Sequence, residues 1–153
     1  MTKILFICHV NICRSPMAEM VFKHMARQRH VDHLFHVDSV ATSTEELGCG
    51  IHPGTRRKLA EAGIPCGQHY AVQITKADYD KYDYLIIMDS RNARELKRII
   101  PNDPERKVHT LLDFSERLGE SIADPWYTGN FDDTFRDVVE GCEHFLNYLL
   151  ENM

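Results

Sequence analysis

The sequence predicts an α/β fold, a three-layer sandwich in which helices cover both faces of a parallel sheet. Three observations predict it. Short apolar runs alternate with amphipathic stretches along the chain. The first run, "KILFIC" (3–8), is continuous, without the polar alternation of a half-exposed strand. Each run leads into a helical pattern instead of a tight hairpin turn, so the connections are crossovers and the strands parallel.

Taken in order, "KILFIC" reads as a strand buried on both faces. Ser15 is a good N-cap and Pro16 suits the first helical position, where its missing N–H has no partner to lose. The helix they open places Ala18, Val21, Phe22 and Met25 on one face. "LFHVDSVA" (34–41) is a second strand, and "PGTRRKLAEAG" (53–63) a helix closed by Gly63 in a left-handed cap. "YDYLIIMD" (82–89) is the clearest strand, followed by a helix, "RNARELKRII" (91–100), which Pro101 stops. "KVHTLLD" (107–113) is a fourth strand, and a loop runs from Phe114 to Gly129. The final helix carries Phe135, Val138, Val139, Cys142, Phe145, Leu146 and Leu149 on one stripe. No repeat or linker interrupts the pattern, so residues 1–153 are expected to form one domain.

Composition narrows the function. With 43% apolar and 27% charged residues, the chain is ordinary for a globular protein. A net charge of -5 without basic blocks argues against nucleic acid as partner. No segment approaches the ~20 apolar residues of a membrane span, and "KILFIC" is too short for a signal peptide. The five cysteines, Cys8, Cys13, Cys49, Cys66 and Cys142, are odd in number and irregularly spaced. They do not form a disulfide framework, and a reducing cytoplasm is the expected location. With no CxxC pair and nine scattered histidines, a structural zinc site has little support. No catalytic metal is expected either, since backbone amides and Arg14 can do the electrostatic work of a cation, and no cofactor is expected.

In open parallel sheets, ligands collect beyond the C-terminal strand ends. Cys8 stands there, opening the stretch "CHVNICRSP". A strand-to-helix turn of this kind aims backbone amides and a helix N-terminus at its concave side, which makes an anion site. Arg14 adds a planar fork for two oxygens of a tetrahedral oxyanion. Those donors also favour the thiolate of a cysteine held in the same cradle. Residues His9, Val10, Asn11, Ile12 and Cys13 then form the wall between nucleophile and clamp, with Ser15 closing it. Asn11 suits a tight turn because Asn tolerates a left-handed conformation. The spacing alone is weak, since a buried cysteine at a strand end is common; the strand before it and the helix start after it give it weight. Covalent displacement at phosphorus also needs a proton donor for the leaving oxygen and a base for water. Asp124, in "ADPWYTGN", lies beyond the fourth strand on the same edge. Trp126 and Tyr127 beside it can wall a pocket for an aromatic ring.

"CHVNICRSP" near one end and "DPWYTG" near the other resemble the low-molecular-weight protein tyrosine phosphatases, and the similarity runs over nearly the whole chain. The resemblance implies a four-stranded parallel sheet in the order 2-1-3-4. It implies Cys8 as nucleophile, Arg14 as phosphate clamp and Asp124 as general acid, with phosphotyrosine proteins as substrates and phosphate or other oxyanions as competitive ligands. It places a loop-supporting network on Asn11, Ser15, Ser39 and His69, with Ser15 also stabilising the leaving thiolate. Trp126 and Tyr127 match the aromatic pair of the family's substrate cleft. Cys13 matches a second loop cysteine able to trap an oxidised Cys8 as a disulfide. The chain is expected to be a monomer.

Two positions depart from the family pattern. Val10 replaces a usual glycine; a positive φ there would strain the cradle by ~1–3 kcal/mol, whereas an extended backbone would merely let valine narrow one side. Glu45 stands where the family often has an aromatic residue at the cleft rim, and reads as an ordinary solvated loop residue. An anion-binding pseudophosphatase is the reading Val10 would motivate. Protein-arginine phosphatase is the nearer alternative, against which Ile12 stands where that branch typically has Thr. Thioredoxin-coupled arsenate reduction needs a cysteine relay, and residues 67–141 contain no cysteine.

Overall fold

A computed structural model describes all 153 residues. The chain runs β1 (Thr2–Cys8), α1 (Arg14–Gln28), β2 (Phe35–Ala41), α2 (Pro53–Glu61), α3 (Asp78–Lys81), β3 (Tyr84–Ile87), α4 (Ser90–Ile99), β4 (Val108–Thr110), α5 (Pro125–Thr128) and α6 (Phe131–Glu151). Short 3-10 turns at Asp32–Leu34 and Leu111–Phe114 complete it. All strand pairs are parallel, in the order β2-β1-β3-β4.

The continuous apolar run of β1 is explained by its central place between β2 and β3. Successive side chains alternate between faces. Ile4, Phe6 and Cys8 join a core with α1, α2 and α6, while Leu5 and Ile7 join a second core with Leu96 and Ile100 at α4. The first core is centred on aromatic rings, with Phe6, Phe22 and Phe145 at centroid separations of 5.6 to 6.3 Å. Each such ring, fully buried, contributes about 1.5–3 kcal/mol.

The expected loop from Phe114 to Gly129 contains a short helix, α5, because Asp124 and Pro125 form a cap and first helical residue there. Beyond shifts of a residue or two, three boundaries also differ from expectation. The fourth strand stops at Thr110, because Leu111 and Leu112 both enter the α1–α6 core. Neighbouring residues of an extended strand cannot face one side, so the chain curls into a 3-10 turn. The third strand ends at Ile87, where the Asn92 side chain takes the N–H groups of Met88 and Asp89. The first helix begins at Arg14, one residue before the expected cap, so Ser15 is not its N-cap. Its hydroxyl is engaged in the loop instead. Pro16 is tolerated because its position lies in the first turn, where N–H groups have no intrahelical acceptor.

Leu111 also sets a constraint on α6. A Cβ at Gly141 would stand 2.6 Å from Leu111 Cγ, in the buried core. Gly141→Ala gains about 1 kcal/mol of helix propensity but overpacks the core by about 1–3 kcal/mol. The expected result is a net loss of stability, read as a lower denaturant midpoint at unchanged slope; a raised midpoint would show that Leu111 moves aside freely.

Candidate active site

β1 and β2 end in register, Cys8 opposite Ala41, and residues 9–13 carry the chain from β1 into α1. The turn is made at Asn11, whose φ of 60° lies in the left-handed region. Val10 does not share it: the other non-glycine residues with positive φ are His30 and Arg106. The strain considered for Val10 is therefore absent. Valine instead packs against Ile12, Cys13 and Ala71 and narrows one side of the cavity.

Two donors converge on the Cys8 sulfur, the Asn11 N–H at 3.3 Å and the Ser15 hydroxyl at 3.0 Å. The second assignment follows from the network behind it. Asn11, fully buried, donates from Nδ2 to the oxygens of Ser15 (2.8 Å) and Ser39 (3.1 Å). Its Oδ1 is then the acceptor, taking the Val72 N–H at 3.3 Å and His69 Nε2 at 2.8 Å, so His69 carries its proton on Nε2. Burial pushes the His69 pKa below its ordinary value, though Glu19 pulls it partly back. Ser15, already accepting from Asn11, keeps its own proton for the sulfur, since the alternative Val40 carbonyl lies at 3.5 Å. Ser39 donates to Glu19 at 2.7 Å, a buried carboxylate also paired with Lys23.

Arg14 is only 3% exposed. Its Nη1 donates to Asp89 Oδ2 at 2.7 Å and to the Ile122 carbonyl at 3.1 Å, while Nη2 lies 3.3 Å from Asp124 Oδ2. Burial opposes its charge, but Cys8, Asp124 and Asp89 more than offset that and raise the guanidinium pKa. Asp89 serves two elements: Oδ2 holds Arg14, and Oδ1 caps α4 through the Asn92 N–H at 2.8 Å. Asp124 caps α5 with Oδ1 on the Trp126 N–H at 3.0 Å, and Pro125 supplies the first helical residue.

These groups meet in a cavity of about 100 Å³. Cys8, Arg14 and Asp124 line it together with His9, Val10 and Cys13, and Trp126 and Tyr127 form its outer wall. Asn11, Ile12, Ser15, Ser39 and His69 are not part of the lining: the four polar ones support the loop from behind, and Ile12 is buried against Cys13 and Ala71. The Cys13 pKa is pushed up to about 12, first by burial and then by Cys8, so its thiol is uncharged at neutral pH. Glu45 is largely exposed, as a solvated loop residue would be, and it also has a partner. Its carboxylate lies at the rim, 3.1 Å from His9 Nε2. The other ring nitrogen of His9 is 2.8 Å from Glu95 Oε2, near enough to pair but outside hydrogen-bond alignment.

Sequence reasoning missed Asp89, Glu19, Arg91 and Glu95. Asp89 carried a usable signal, being an acid at a strand's C-terminal end just ahead of a helix. Arg91, which donates to the Tyr127 hydroxyl at 2.7 Å, carried none, because its partner is distant in sequence.

A doubly covered parallel sheet whose first strand ends in a cysteine cradled beside a buried guanidinium defines an α/β protein with a cysteine–arginine site at its strand ends. The comparisons make this specific. The profile of the low molecular weight phosphotyrosine protein phosphatases matches residues 3–153. The low molecular weight protein-tyrosine-phosphatase YfkJ of Bacillus subtilis is 34% identical over 147 residues, 95% of this chain and 94% of the relative. Its crystal structure superposes with a TM-score of 0.94, at 33% identity over 99% of this chain and 96% of that one. PtpA of Staphylococcus saprophyticus, of the same description, is 32% identical over 99% of this chain and 96% of its own. The crystal structure of SP-PTP from Streptococcus pyogenes, at 37% identity, covers 97% of this chain and 93% of that one, with a TM-score of 0.87. The chain belongs to the low molecular weight protein-tyrosine phosphatases, enzymes that hydrolyse phosphoric monoesters. No helix is long and apolar enough to cross a membrane.

Proposed function

We propose that the enzyme hydrolyses phosphotyrosine in proteins through a phosphocysteine on Cys8. The observation that carries this is the convergence of Asn11 N–H and Ser15 O–H on one sulfur, in a cavity shared with Arg14 and Asp124. The Cys8 sulfur attacks phosphorus while Arg14 and the loop amides hold the phosphoryl oxygens. The phosphorus–oxygen ester bond breaks as Asp124 gives its proton to the leaving oxygen, so tyrosine departs as a neutral phenol. Water then attacks phosphorus, Asp124 takes a proton from it, and the phosphorus–sulfur bond breaks to release phosphate. The Ser15 hydroxyl stabilises the sulfur that leaves. Phosphate and related oxyanions, which fit the same cradle, are competitive inhibitors.

Trp126 and Tyr127 favour an aryl leaving group, because flat apolar faces at the cavity mouth receive a ring. The Glu45 carboxylate at the rim is the one feature that suits a guanidinium leaving group, and so the phosphoarginine reading. Ile12 does not decide between them by contact, since it faces the interior. Kinetics on matched phosphotyrosine and phosphoarginine peptides test the choice. Phosphotyrosine is expected to give the higher kcat/KM, with Val10→Gly close to the parent because no strain is relieved. A preference for phosphoarginine would overturn the assignment, and absence of turnover on both would leave an anion-binding protein.

A further inference from the structure

Asp124 sits on a long connection, yet the two residues before it are held as firmly as a strand. Ile122 donates its N–H to the Met88 carbonyl at 3.0 Å, and its own carbonyl receives Arg14 Nη1 at 3.1 Å. Ala123 is gripped on both sides by α6. Its N–H donates to Asp137 Oδ2 at 3.0 Å, and its carbonyl receives the Thr134 hydroxyl at 2.7 Å. Asp137 is itself anchored, because its other oxygen takes Arg117 Nη1 at 2.8 Å. Arg117 also reaches Glu140 and Glu120, tying the loop that precedes Ile122 to the same helix face.

The geometry points to Thr134 and Asp137 as the residues that position Asp124 for proton transfer. The carbonyl of Ala123 and the N–H of Asp124 belong to one peptide plane. The Thr134 bond therefore sets the orientation of the plane from which Asp124 departs, and the Asp137 bond sets the plane before it. Thr134 is fully buried, so its hydroxyl has no water to exchange with. Neither residue lines the cavity, and neither touches a reacting atom. Their influence passes through the backbone to a carboxylate whose placement matters to a fraction of an ångström. The inference rests on Asp124 being the proton donor, and the experiment separates the two.

The readout is the dependence of kcat/KM on leaving-group pKa across a series of aryl and alkyl phosphates. With a placed acid the dependence is shallow, because the proton arrives as the bond breaks. Asp124→Ala is the control and should steepen it most. Thr134→Val should steepen it in the same sense, with about a tenfold loss on the poorest leaving groups and little on the best. Thr134→Ser, which keeps the hydroxyl, should restore the shallow dependence. Asp137→Ala provides an independent variant outside the buried core should Thr134→Val fail to fold. A residue that only stabilised the fold would lower all substrates alike and leave the slope unchanged. A steep slope in Asp124→Ala with parental slopes in Thr134→Val and Asp137→Ala overturns the positioning role alone. A parental slope in Asp124→Ala overturns the proton-donor reading, and the positioning role with it.

Discussion

Cys8→Ser is expected to reduce aryl phosphate hydrolysis by at least about 10⁴-fold. The reason lies in what surrounds the sulfur. Both close partners, the Asn11 N–H and the Ser15 hydroxyl, act as donors. Such a setting suits a nucleophile that sheds its proton readily, as a thiol does, and supplies no base to remove one from an alcohol. A serine hydroxyl at this position keeps its proton and stays a poor nucleophile. The cradle itself is untouched, because the Asn11 turn is held by Ser39, His69 and Val72. Binding of inorganic phosphate, measured by calorimetry, should therefore persist while turnover is lost. Turnover comparable to the parent enzyme would remove Cys8 from the mechanism.

Arg14→Lys is expected to lower kcat/KM by about 10²–10³-fold and to raise the inhibition constant of phosphate. Charge is conserved in this change, so the loss isolates geometry. The guanidinium holds Asp89, the Ile122 carbonyl and Asp124 from one plane. An ammonium is a point charge without that fork, and it cannot keep the plane aligned while gripping two phosphoryl oxygens. Asp89 stays paired with a cation in this variant, so the fold is retained. In Arg14→Ala, by contrast, the part-buried Asp89 carboxylate would lose its cationic partner, and the variant would lose stability as well as activity. A parental inhibition constant for phosphate in Arg14→Lys would mean that the guanidinium does not hold the oxyanion.

Much of this protein is local chemistry, and local chemistry is readable from order along the chain. The apolar run ending at Cys8, the tolerance of Asn11 for a left-handed backbone and the Pro101 stop are all set by neighbours a few residues apart. From them follow the parallel α/β class and the placement of Cys8 and Arg14 at one sheet edge. Backbone sterics and one-turn hydrogen bonds leave few alternatives at such spacings. Tertiary packing decided the rest. That Val10 escapes the left-handed region depends on where the loop places its turn, which Asn11 and its partners Ser39 and His69 determine. That Leu111 and Leu112 leave the strand follows from a shared core beneath α1 and α6. The pairing of Arg14 with Asp89, of Glu45 with His9, and of Ala123 with Thr134 joins segments whose separation along the chain carries no period. Sequence patterns record which face of an element is apolar; which polar groups meet across elements is set only when burial forces each to find a partner.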